Sequence, residues 1–200
     1  LSELATSQDL RTLTKSDHEL GEVFEGHQGA LLFSEKIETV DWSTIHYGEK
    51  ATILLLDHLE DPHNFGAILR SAWLMGVDAV FYPEERAVDL SPSVHKVACG
   101  GVEYLNLVRL PNFSSLVEDL KKKDFWFYGL SHKGQQTLLQ TKFPSRTALF
   151  IGAEEKVLRS TSEKLCDELI SIPQVDPNAS FNASVATAVV LFESLRQRGS

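Results

Sequence analysis

The chain is short of cysteine, of long apolar runs and of positive charge. Cys99 and Cys166 are its only cysteines in 200 residues, too few for a disulfide framework or a cysteine-rich zinc site. No apolar stretch approaches the roughly 20 residues that span a bilayer. The opening Leu1-Ser2-Glu3-Leu4 carries neither the basic nor the apolar region of an export signal. A reduced, cytoplasmic setting is therefore expected. Lys and Arg number 19 against 28 Asp and Glu, a net charge of −9. That balance argues against coating nucleic acid by general basicity. With 42% hydrophobic and 24% charged residues, the composition is that of a globular chain and excludes full disorder.

The acidity is uneven. Residues 1–50 hold 10 acidic and 4 basic residues, leaving 18 and 15 for residues 51–200. Two-thirds of the excess negative charge (−6 of −9) thus lies in the first 50 residues. That stretch has weak periodicity and reads as an N-terminal extension or linker, or as the end of a truncated substrate-binding region. Gly26-His27-Gln28-Gly29 reads as a turn before a short strand, Ala30–Phe33.

From residue 51 the pattern sharpens. Ala51–Leu56 is a continuous apolar run, as expected of a strand covered on both faces. Further strands are expected at Val77–Phe81, Leu105–Leu110, Phe125–Leu130, Thr147–Ile151 and Leu169–Ile172. Helices are expected at Asn64–Met75, Ser91–Ala98, Asn112–Lys123, Ser162–Cys166 and Ser180–Leu195. Asn64 is the expected N-cap of the first of these, and Ser180 or Asn182 of the last. Alternation with short connections predicts an α/β domain over residues 51–200, a mostly parallel sheet flanked by helices.

In such sheets ligands bind at the carboxyl ends of strands, and three of these ends carry unusual residues. The first is Asp57 to Arg70, with no glycine-rich turn, which lowers a dinucleotide-binding reading. Arg70, one turn beyond Gly66 and Ala67, whose small size would leave room for a guanidinium, would lean toward the helix N-terminus and could grip a phosphate. Asp57, His58, Glu60, Asp61 and His63 read as a solvated turn rather than a metal site, so no metal is expected. Asp57 as a phosphoacceptor would leave the other two segments unexplained. The second end is Gly152-Ala153-Glu154-Glu155. The third is Ile172-Pro173-Gln174 followed by Ser180-Phe181-Asn182-Ala183-Ser184-Val185-Ala186, which opens an apolar helix suited to a core or a subunit interface.

Taken in order, the segments 61–72, 151–154 and 172–186 resemble the three motifs of the SpoU (TrmH) family of RNA ribose 2′-O-methyltransferases, in the SPOUT superfamily. The likeness covers residues 51–197, and Lys96 to Glu103 looks like the rRNA-methylating branch. The resemblance implies a deep C-terminal trefoil knot, a homodimer, and S-adenosylmethionine as cofactor. It implies an RNA substrate, 23S rRNA before tRNA, with an RNA-binding paralogue of weak or lost activity as the alternative. Arg70 would be the central catalytic residue, helped by Asn64, Glu154 and Ser184. Leu130, Ser131, Gly152, Ile172, Pro173 and Asn182 would hold the cofactor. The chain departs from the family pattern at Glu155, Val157 and Asp176, where the family carries glycine.

Overall fold

The computed structural model describes residues 5, 7–33, 39–85, 88–153, 158–176 and 179–199. The chain divides into two compact units, Leu1–Ile37 and Glu38–Ser200. Within the first, helix α1 (Asp17–Val23) has a reciprocal cap. Ser16 Oγ accepts the Glu19 N–H at 3.3 Å, and Glu19 Oε2 accepts the Ser16 N–H at 2.9 Å. Such a box satisfies donors that the first turn leaves orphaned. Ala30–Phe33 is not a strand. Leu32 and Phe33 are 77% and 80% exposed, so no packing rewards an extended pairing there.

The second unit starts ahead of the division at residue 50 suggested by charge. Ile45 is buried in one cluster with Ala51, Ile53 and Phe125, and Trp42 and Tyr47 pack against it. The Val40 N–H donates to Leu107 O at 3.0 Å. Apolar side chains rather than charge set this boundary.

Seven strands make the sheet: β1 (Ala51–Asp57), β2 (Ala79–Pro83), β3 (Asn106–Leu110), β4 (Trp126–Leu130), β5 (Gln136–Thr137), β6 (Arg146–Gly152) and β7 (Glu168–Ser171). Their order is β3-β2-β1-β6-β4-β7-β5, and every pairing is parallel. All seven residues of β1 are buried, as an apolar run covered on both faces requires. The helices are α2 (Pro62–Leu74), α3 (Pro92–Ala98), α4 (Gly101–Tyr104), α5 (Ser114–Lys121), α6 (Ser160–Glu163) and α7 (Ala183–Arg198). The two-residue β5 and the one-turn α4 escape sequence reading because neither is long enough to show a period.

Two consequences of this order position the site. First, β7 inserts between β4 and β5, which are joined by only five residues. That short connection passes directly over β7: a Cβ on Gly134 would lie 2.5 Å from the Ile170 carbonyl carbon, so only glycine fits. Second, α2 begins earlier than expected. Asp61, not Asn64, is its N-cap, accepting the His63 N–H at 3.0 Å, with Pro62 in the first turn. An acidic cap followed by proline nucleates the helix three residues sooner and carries Asn64 inside it.

The Lys121–Lys123 run lies at the amino edge of the sheet, before β4. Lys121 pairs with Asp167 at 2.5 Å, Lys122 pairs with Asp119 at 3.0 Å, and Lys123 sits over the Tyr47 ring. These lysines serve the fold at the edge opposite the strand ends. Among the described residues no helix is long and apolar enough to cross a membrane.

Candidate active site at the carboxyl edge of the sheet

At the end of β1 the structure corrects one expectation. Asp57 is not in a solvated turn: it is 3% exposed. His58 Nδ1 contacts its Oδ1 at 2.5 Å, and the Arg159 N–H donates to Oδ2 at 3.2 Å. His58 itself takes a left-handed backbone (φ 56). Asp57 therefore ties the first strand end to the segment entering α6, and both its oxygens are engaged. Among the described residues there is no group of three or more His, Cys, Asp or Glu arranged to hold a metal.

Asn64, Asn182 and Ser184 come together across α2 and α7, whereas Arg70, also on α2, faces solvent. Asn64 is buried, and its Oδ1 accepts a hydrogen bond from Asn182 Nδ2 at 2.9 Å. Asn182 caps α7: its Oδ1 accepts the Ser184 N–H at 2.9 Å, the Ser184 hydroxyl at 2.6 Å and the Val185 N–H at 3.4 Å. One amide side chain thus closes a helix end with its oxygen and reaches the first motif with its nitrogen. Ser184 is half-buried and aligned by this cap.

Arg70 is exposed on α2, and among the described residues its guanidinium has no hydrogen-bond or ion-pair partner. Its neighbourhood differs from the sequence reading in one respect. Gly66 leaves no room for a guanidinium, because α3 fills that space. A Cβ there would lie 2.8 Å from Val97 Cβ and 3.0 Å from Val94 O. Gly66 lets α3 approach α2 closely, and Arg70 projects from the ridge beside that contact, toward solvent.

A second group occupies the strand ends. Gly152 ends β6 in register with Asp57. Leu130 ends β4 opposite Ile170, and the Ser131 N–H donates to Ile170 O at 2.9 Å. The buried Ser131 Oγ accepts the Lys133 N–H at 3.2 Å, fixing the turn after β4. Ile172 and Pro173 leave β7 half-buried and exposed respectively. The set offers aliphatic side chains and main-chain polar groups, which fit an adenosyl group. Burial holds the Tyr128 hydroxyl and the Cys166 thiol up at about 12, with nearby carboxylates adding to both shifts. Both stay protonated at neutral pH, so neither is a base.

Glu154 lies outside the described residues, as do Glu155 and Val157. Asp176 is described and exposed. It is not among the residues with positive φ, so aspartate stands in place of the family's glycine without backbone strain. Sequence reading missed the joint role of Asn182 and the locked state of Asp57, since neither has a local signature.

Comparison with known proteins agrees with this geometry. The model of the SpoU rRNA Methylase family matches residues 51–192. The 23S rRNA (guanosine-2′-O-)-methyltransferase RlmB of Salmonella typhi is 43% identical over 150 residues, covering 75% of this chain and 62% of that protein. The Escherichia coli K12 protein of the same name is 43% identical over 146 residues, 73% of this chain and 60% of its own length. The chain thus spans about three-fifths of the curated relatives it matches. Among solved structures, the SpoU methyltransferase AviRb from Streptomyces viridochromogenes in complex with AdoMet superposes with a TM-score of 0.77 at 26% identity, covering 82% of this chain and 64% of that one. An AdoMet-bound rRNA methyltransferase from Sinorhizobium meliloti, at 21% identity and a TM-score of 0.79, shares the fold. With its three motif segments meeting at one sheet edge and the family model matched from β1 into α7, this chain belongs to the SpoU rRNA methylase family.

Proposed function

We propose that this protein methylates the 2′-hydroxyl of a ribose in 23S rRNA, in the cytoplasm, with S-adenosylmethionine as methyl donor. The observation that carries the reading is the Asn64–Asn182 hydrogen bond, which holds the first and third motifs together on the helix that also carries Arg70, exposed and without a partner among the described residues. The likeness to the RlmB proteins supports ribosomal over transfer RNA. Leu130, Ser131, Gly152, Ile172 and Pro173 would hold the cofactor, and the insertion of β7 between β4 and β5 supports the trefoil knot around it. When bound, the cofactor supplies an electrophilic methyl group on a sulfonium.

The remaining chemistry belongs to the chain's own residues. A ribose hydroxyl is a weak nucleophile until negative charge on its oxygen is stabilised. Arginine keeps its proton, so Arg70 acts as a fixed cation. It grips a phosphate beside the hydroxyl and stabilises the charge that builds as the proton departs to solvent. Asn64 and Asn182 fix the helix that carries Arg70; Glu154 would position Arg70, and Ser184 would hold the cofactor or the ribose.

An apolar groove between α2 and α7, of about 560 Å³, is lined by residues including Ala67, Ser71, Val185, Val189 and Phe192. Phe192 and Val185 are 60% and 47% exposed. A helix face of this kind suits pairing with a second copy, so the active form is a homodimer. Calorimetric titration with S-adenosylmethionine, joined to mapping of 2′-O-methylation on an rRNA transcript, tests the reading. Saturable binding and one methylated ribose are expected. Absence of binding at millimolar cofactor overturns it.

A further inference from the structure

Beside Arg70 lies an aromatic pair that the reaction described above does not use. Trp73, on the next turn of α2, stacks on Tyr104 at the end of α4: ring centroids are 4.9 Å apart and the planes differ by 9°. Tyr104 is nevertheless 72% exposed, so one face of its ring is covered by indole and the other meets water.

The pair is held in place from both sides. A Cβ on Gly101 would lie 2.7 Å from Leu69 O and 3.0 Å from the Arg70 nitrogen, so the α4 backbone rests directly on α2 at Arg70. Glu103 pairs with His95 Nδ1 at 2.8 Å, tying α4 to α3. An exposed tyrosine backed by indole on a doubly anchored turn is a preformed flat surface, not a free side chain. It differs from the α2/α7 groove, which is lined from the other side of α2 by Ala67, Ser71 and Met75.

Residues three apart on a helix are neighbours, with Cβ atoms about 5–6 Å apart. A ribose-phosphate gripped by Arg70 would therefore bring an adjoining base within reach of the Tyr104 ring. Unpaired bases are recognised by stacking on aromatic rings, and such stacking does not depend on net positive charge. That suits a chain of net charge −9. We propose that the Trp73–Tyr104 stack is a platform for one unpaired nucleobase of the RNA, adjacent to the nucleotide held at Arg70. This rests on the RNA-methylating reading above.

The test uses the full chain and a fluorescein-labelled single-stranded oligoadenylate, with an abasic ribose-phosphate oligomer of equal length as control. Tyr104→Ala is expected to weaken oligoadenylate binding roughly tenfold. Tyr104→Phe restores it, and the abasic oligomer binds wild type and Tyr104→Ala alike. Methyl transfer to an rRNA transcript is followed in parallel. If wild type methylates the transcript and Tyr104→Ala binds oligoadenylate as wild type does, the platform alone is overturned. Wild type that neither binds RNA nor methylates it overturns both readings. A monomer in light scattering for Tyr104→Ala, where wild type is dimeric, assigns the ring to a contact between copies and also overturns the platform.

Discussion

Asn182 Nδ2 donates to Asn64 Oδ1 at 2.9 Å, across 118 residues of chain. Because the Asn182 oxygen also caps α7, the two asparagines should be energetically coupled. Asn182→Ala is expected to cost about 1–2 kcal/mol and Asn64→Ala about 1 kcal/mol. The double variant should cost less than their sum by at least about 0.5 kcal/mol. Urea denaturation of the four proteins checks this; strict additivity would mean the contact carries no coupling.

Arg70 is exposed and unpaired among the described residues. Arg70→Ala should change stability by no more than about 0.5 kcal/mol while abolishing methyl transfer. Arg70→Lys should not restore it, since a point charge lacks the fork that grips phosphate. Thermal melting paired with radiolabelled methyl incorporation reads both. Retained transfer in Arg70→Ala would remove Arg70 from the mechanism.

Gly66→Ala introduces a methyl 2.8 Å from Val97 Cβ. The expected loss is about 1–3 kcal/mol, because α2 and α3 must separate. Since α2 carries both Asn64 and Arg70, the variant should also lose activity at temperatures where it remains folded. An unchanged denaturation midpoint would show that the helices can slide apart freely.

Cys99 is exposed, whereas burial raises the Cys166 thiol to about 12. At pH 8 only about one Cys166 in ten thousand would be a thiolate, the form that reacts. Iodoacetamide should therefore label Cys99 first, with Cys166 reacting after addition of denaturant. Peptide mass analysis distinguishes the two sites, and equal labelling rates in the native protein would contradict the burial.

Hydrogen bonds from Arg196, then from Gln197, hold the Glu193 carboxyl down at about 2, below its ordinary 4.5. A depressed folded-state value means the contribution is complete above pH 4.5 and is lost as pH falls toward 2. Glu193→Gln should flatten the fall in stability over that window. A wild-type acid-denaturation curve identical to that of the variant would remove the carboxyl from the balance.

The strands of the sheet are legible because burial on both faces writes itself as apolar runs such as Ala51–Leu56. The motif segments are legible because local chemistry constrains them: Asn182 caps a helix, and Arg70 sits one turn after Gly66. What the sequence leaves hidden is pairing over distance. Nothing near Asn64 names Asn182 as its partner, nothing near Trp73 announces Tyr104, and the charge at Asp57 suggests water where the structure has a buried carboxylate. Gly66 was legible as a special position but not for its cause, since the neighbour it accommodates is Val97, 31 residues on. Parallel pairing also hides strand order, because β6 can lie beside β1 or beyond β4 with the same apolar pattern.

The placement of β7 has a consequence for how the chain is made. β5 pairs only with β7 among the described strands, so as the polypeptide emerges from the ribosome β5 has nothing to bind until β7 follows it out. The segment after β7 holds Asn182 and Ser184, so the same late arrival completes the pocket. A nascent chain halted before residue 168 would already hold Arg70 on α2, yet could neither finish its sheet nor close the clasp on Asn64. Competence to act is thus deferred until the segment from β7 through Ser184 has been made.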